Sequence, residues 1–176
     1  MYSYMKSAVM KQLFAGLFLS FAFLTACTST KKENSQTPME FSEKIVNAEL
    51  ELGEPLAKAE EAIRAQADSS NFEAMGNIAE EAEKLIGDKI KEIEKMSAKD
   101  FKGGADFKQS AINYFEYIKS IYTNYKNIGK AESEGARLAE TRRMDTIRAN
   151  QENVVTMMQA AQNKFAIENG FKVDGE

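Results

Sequence analysis

Cys27 is the only cysteine of the chain and histidine is absent, so one thiol is the sole soft nucleophile on offer. Three other groupings have types and spacing that could do chemistry. Tyr114, Tyr117, Tyr122 and Tyr125 fall within twelve residues, a density that suits either an aromatic recognition surface or a packed helix face with hydroxyls at its edge. The acidic pairs Glu60-Glu61 and Glu80-Glu81 could hold a metal inside a helical bundle. A di-iron centre of that kind needs Glu-x-x-His on two helices, however, and a chain without histidine cannot supply it. The pairs also flank apolar positions, so they are predicted to be solvated. Arg142-Arg143, with Arg137 and Arg148, form a basic cluster that could meet anionic headgroups or an acidic partner, or pair with Glu140, Asp145 and Glu152 along the same helix. Met157 and Met158 read as gap-filling side chains at helical spacing.

The surroundings of Cys27 assign its chemistry. Lys6 and Lys11 precede the apolar run Leu13 to Leu24, and Leu24-Thr25-Ala26-Cys27 closes it. A charged segment, a short apolar segment and small residues before a cut site make a secretory leader. The run is well short of the roughly 20 residues a membrane span requires. The four closing residues (aliphatic, small, small, cysteine) match the bacterial lipoprotein signal. The match implies cleavage before Cys27 and a diacylglyceryl thioether on its sulfur.

Residues 1–26 are therefore read as leader, 27–37 as lipidated cysteine and tether, and 38–176 as one domain. Cleavage leaves 150 of the 176 residues, enough for a single core. The leader takes two lysines from the 23 bases that face 27 acids, which leaves a net charge of −6. Nothing resembles the basic stripe of a nucleic-acid-binding surface, so no nucleic-acid partner is expected. No phosphate loop, nucleophile elbow or dinucleotide fingerprint occurs, so neither an enzyme nor a cofactor is expected. With the one thiol lipidated and no histidine, no metal site is expected either.

The elements beneath these residues are helical. Proline occurs only twice, and Ala, Glu and Lys are abundant. Thr28 to Thr37 is polar throughout, a tether that could reach about 35 Å. Thr37, Pro38 and Glu40 form a capping box with proline at the first helical position. A first helix is predicted to run from Pro38 to Asp68, kinked at Pro55, with Phe41, Ile45, Ala48, Leu52, Leu56, Ala59 and Ile63 inward. After the turn Asp68-Ser69-Ser70-Asn71, a second helix to about Met96 turns Met75, Ile78, Ala82, Leu85, Ile86, Ile90 and Ile93 inward. Lys102-Gly103-Gly104 marks a loop. The third helix, from Asp106 to Ile128 with Gly129 as its stop, buries Phe107, Ala111, Tyr114, Phe115, Ile118, Ile121, Tyr122 and Tyr125 and leaves Tyr117 at least partly exposed. The fourth, from Glu132 to Asn169, buries Leu138, Met144, Ile147, Val154, Met158, Ala161 and Phe165, and Asn169-Gly170-Phe171 caps it. Four long helices with short connections give an all-α, antiparallel up-down-up-down bundle. From Glu40 to Lys95 there are 15 acids against 7 bases, and from Lys99 to Lys130 there are 6 bases against 3 acids. The third helix therefore suits acidic neighbours.

Three stretches carry a likeness: Phe41-Ser-Glu-Lys-Ile-Val-Asn47, the aromatic segment Tyr114 to Tyr122, and Ala161-Gln-Asn-Lys-Phe-Ala-Ile-Glu-Asn-Gly-Phe171. Their order behind the lipobox resembles an uncharacterised bacterial surface-lipoprotein family with helical-bundle architecture. The resemblance implies a bundle and assigns no activity to any residue.

The chain so read is a lipid-anchored envelope protein acting as a binding or structural module, its possible protein or glycan partner unidentified, with Tyr117, Tyr122, Arg142 and Arg143 as candidate contacts. The rival reading is a carrier whose core holds an apolar ligand among Phe115, Met144 and Met158. Thr28 after Cys27, where an aspartate would signal inner-membrane retention, favours the outer membrane. Cys27→Ser is expected to move the protein out of the membrane fraction and to abolish labelling with radioactive palmitate. Undiminished membrane association without label would overturn the anchor.

Overall fold

The computed structural model describes residues 36–173; Cys27 and the expected leader and tether up to residue 35 lie outside it. The described residues form five helical segments and no strand: α1 (Pro38–Asp68), α2 (Phe72–Lys95), α3 (Gly104–Lys130), α4 (Glu134–Ala149) and α5 (Gln151–Glu168). The expected fourth helix is thus two segments parted by Asn150 alone, so five segments make four rods. No helix among the described residues is long and apolar enough to cross a membrane.

Local chemistry sets most of the ends. The Thr37 hydroxyl accepts from the Glu40 N–H at 3.2 Å and the Glu40 carboxylate accepts from the Thr37 N–H at 2.8 Å, the reciprocal pair of a capping box. α1 ends on Ser70 at φ 60°, with the Asn71 N–H donating back to the Gln66 carbonyl at 2.8 Å. A serine there does the work usually given to glycine. α5 ends as expected: Gly170 sits at φ 76°, and the Phe171 N–H reaches the Ala166 carbonyl at 3.0 Å. The Phe171 ring then meets Phe165 with centroids 5.8 Å apart. Pro55 lies within α1, which continues through it as one helix.

The tightest seam is α2 against α3. Gly129 does not end α3; it sits inside the helix, because a side chain there would strike the backbone of Gly76 and Phe72. The helices run antiparallel from that crossing. Glu80 pairs with Lys130 at 2.6 Å, Glu83 with Lys126, and at the far end the Lys108 ammonium donates to the Met96 carbonyl at 2.8 Å. The acidic-to-basic match between these helices is as their charges predict. α1 packs beside α2, with Lys89 on Glu51 at 2.5 Å. α4 and α5 both pack against α3.

α3 is covered on several sides, and this corrects one expectation. Tyr117 is 7 % exposed and so belongs to the core: α3 packs against α4 and α5 as well as α2, where a single-stripe reading leaves a flank open. Tyr122, another candidate contact, is 2 % exposed. Leu85 and Leu138, predicted inward, are exposed. α4 turns Glu140 toward Asn124 of α3 and Arg137 toward the Phe72 ring, while Leu138 stays outside, and only Met144 of its sixteen residues is fully buried.

One end of the core is aromatic. Phe41, Phe101, Phe107 and Phe165 meet there, with Phe107 and Phe165 stacked at 4.9 Å. The other end narrows to the glycine crossing. Gly129→Ala is expected to cost about 1–3 kcal/mol by overpacking, outweighing the better helix propensity of alanine. Gly135→Ala, at a position with nothing within 4 Å of the added carbon, should be neutral or mildly stabilising. Urea titration of both variants checks this; equal effects would refute the close crossing.

Candidate functional site

Two carboxyl groups lie inside the bundle, and Glu60 departs from the solvated position expected for its pair. Glu49 is 9 % exposed and Glu60 is 4 % exposed, whereas Glu61, Glu80 and Glu81 are solvated as predicted. Both buried acids lie on α1 within the apolar stripe, four residues after Ile45 and Leu56. They point across the core at the tyrosines of α3.

The Tyr114 hydroxyl donates to Glu49 Oε1 at 2.6 Å. Burial pushes the Glu49 carboxyl up to about 7, and the Tyr114 bond offsets only part of that. Burial and the facing Glu49 together carry the Tyr114 phenol far above its ordinary range, so it remains a hydrogen-bond donor at every physiological pH.

Glu60 occupies a richer junction about three helical turns further along α1. Burial again raises its carboxyl to about 7. The opposing pull comes from Arg148 on α4, Arg64 on its own helix, and the hydroxyls of Tyr122 and Tyr125 on α3. Burial and Glu60 raise Tyr125 to about 12, and the Tyr122 phenol rises well above its usual range for the same reasons. Arg148 Nη2 donates to the Tyr125 hydroxyl at 3.2 Å, and the Tyr122 hydroxyl donates to the Leu56 carbonyl at 3.4 Å. Glu83 shows what direct pairing does. Burial would raise it too, but Lys126 and the Thr123 hydroxyl, 2.7 Å away, hold its carboxyl below the ordinary range.

The junction continues onto α4. The Asn124 amide donates to the Glu140 carbonyl at 3.1 Å and to its carboxylate at 2.8 Å. The Arg137 guanidinium lies 3.9 Å over the Phe72 ring and donates to the Ala131 carbonyl at 3.2 Å. Tyr117 Oη and Arg148 Nε are buried without a hydrogen-bond partner among the described residues. None of the four arginines of α4 forms an ion pair with the acids of its own helix among the described residues, contrary to the paired reading. Arg142 and Arg143 are exposed.

The structure therefore separates the four predicted contacts: Tyr117 and Tyr122 join the interior, and Arg142 and Arg143 stand on the surface. Phe115, Met144 and Met158 are all buried. A groove of about 580 Å³ on the outer α2–α3 face is lined by Glu80, Glu83, Lys84, Gly87, Glu94 and Lys119, among others, and by none of these seven. Among the described residues no group of three or more carboxylates is placed to hold a metal. What the buried junction can do is hold protons near neutrality and donate hydrogen bonds from phenols that do not ionise.

An acid whose folded pKa exceeds its unfolded value keeps its proton better when folded. Its contribution to stability is complete below about pH 4.5 and is lost as pH rises through about 7. Each carboxyl should withdraw on the order of 3 kcal/mol across that window. Glu49→Gln and Glu60→Gln should each flatten the pH dependence of denaturant midpoints between pH 4.5 and 7; an unchanged slope in both would refute the assignment. Tyr114→Phe should cost about 1–3 kcal/mol by stranding Glu49, whereas Tyr117→Phe should be neutral or stabilising because its hydroxyl has no partner to lose.

No protein-family model, curated protein or solved structure matches this chain, so the geometry of the junction stands on its own.

Proposed function

We propose that this chain is a bacterial lipoprotein, anchored by acylated Cys27 in the envelope with the outer membrane favoured. Its domain is an up-down-up-down bundle that binds an anionic partner, a protein or a glycan, through the outer face of α4. The resemblance to surface lipoproteins and the polar run of residues 28–37 fit a domain displayed at the end of a tether.

The observation that carries the reading is the state of Arg142 and Arg143. Both are exposed, neither has an ion-pair partner among the described residues, and they stand on the helix that contributes least to the core. Folding makes little use of them, and an arginine fork suits carboxylates, sulfates and phosphates. A rim contact of this kind weakens with salt.

Arg142→Glu with Arg143→Glu should leave the urea midpoint unchanged within about 0.5 kcal/mol, as surface changes usually do. The same double variant should weaken capture of envelope components, and of a sulfated glycan used as probe, by about tenfold or more, roughly 1.4 kcal/mol. Capture that is insensitive to both charge reversal and salt would refute an anionic partner at α4.

A further inference from the structure

We propose that α4 is a proton-gated flap, hinged at Asn150 and at the residues before Ser133, which lifts from the Tyr117–Asn124–Tyr125 face of α3 when Glu60 beneath it ionises.

The geometry of the attachment carries this. α4 is sixteen residues long and seats one fully buried side chain, Met144, with Ile147 partly buried beside it. Everything else that holds it is polar: Asn124 to Glu140, Arg148 to Tyr125, and Arg137 to the Ala131 carbonyl and the Phe72 ring. A segment with few apolar contacts opens at lower free energy than the body it rests on. Its two ends permit the motion. Asn150 alone interrupts the rod between α4 and α5, and Ala131 to Ser133 are non-helical. α2 and α3, by contrast, are clamped by backbone contact at Gly76 and Gly129.

The groups that face Glu60 set the direction. α3 brings the Tyr122 and Tyr125 phenols, α4 brings Arg148 and α1 itself brings Arg64. The largest influence is burial, which favours the neutral acid while α4 is seated, and the two arginines do not overcome it. Lifting α4 admits water, and the carboxyl then ionises at its ordinary acidity. By linkage, whatever makes the open form lose a proton makes a rise in pH favour opening. The seated form also leaves Tyr117 Oη and Arg148 Nε without partners among the described residues, so opening lets water hydrate both groups.

Native-state hydrogen exchange on the full chain in detergent, corrected for intrinsic rates, tests the flap. α4 amides should exchange at far lower free energy than those of α2 and α3. Their opening constant should rise by about tenfold or more from pH 5 to 7, bounded by tenfold per pH unit for one proton, and level off above about pH 7.5. Glu60→Gln should remove the rise, and Glu49→Gln, whose carboxyl meets Tyr114 instead of α4, should keep it. Exchange of α4 only with global unfolding, a flat profile in the unmodified protein, or a slope that survives Glu60→Gln would each overturn the proposal. If Glu60→Gln does not fold, the contrast between α4 and α2 in the unmodified chain still decides it.

Discussion

Two backbones touch where α2 crosses α3, and much else in the domain is placed by that contact. With glycine on both sides, the crossing fixes the register of one helix on the other. Glu83 then falls beside Lys126 and Thr123, and Lys108 reaches the carbonyls that end α2. The same register rotates α3 so that its phenols project away from α2, toward α1 and the α4–α5 rod. Long side chains, more than backbone proximity, join α1 to α3, and Tyr114 and Tyr122 span that diagonal.

A diagonal bridged by tyrosines explains why carboxyl groups are tolerated inside. A phenol delivers its ring to the apolar layer and its hydroxyl to whatever lies beyond, so a partner capable of accepting a hydrogen bond is wanted at the far side. An ionised carboxylate there would be costly to bury, whereas a neutral one is far less so. Glu49 takes the simpler solution with one phenol. Glu60 takes a composite one with two phenols and two arginines, and its arginines come from two different helices. The interior polarity is thus concentrated where the rods are least tightly joined.

Much of this architecture was legible beforehand. The capping box at Thr37, the turn at Ser69-Ser70 and the left-handed cap at Gly170 are local chemistry, and they sit where their residue types place them. The core stripe of α1 follows its apolar spacing. Charge argues for exposure, yet Glu49 and Glu60, four residues after Ile45 and Leu56, lie on that same stripe and follow it inward. Tyr117 escaped because one apolar stripe implies one neighbour, and α3 has several. Gly129 reads as a stop because, in sequence, a glycine that ends a helix and one that admits a neighbouring backbone look alike. Arg142 and Arg143 are surface residues by type and by position, but the acids expected to pair with them did not.

The tyrosine ladder has an optical consequence. The chain has no tryptophan, and apart from Tyr2 and Tyr4, outside the described residues, every tyrosine belongs to α3. The tyrosine absorption and emission of the described residues therefore originate from one helix, at the centre of the fold. Three of its four chromophores surround or adjoin the Glu60–Arg148 junction, and the fourth is bonded to Glu49. The molecule carries its own label, placed where its interior charge changes.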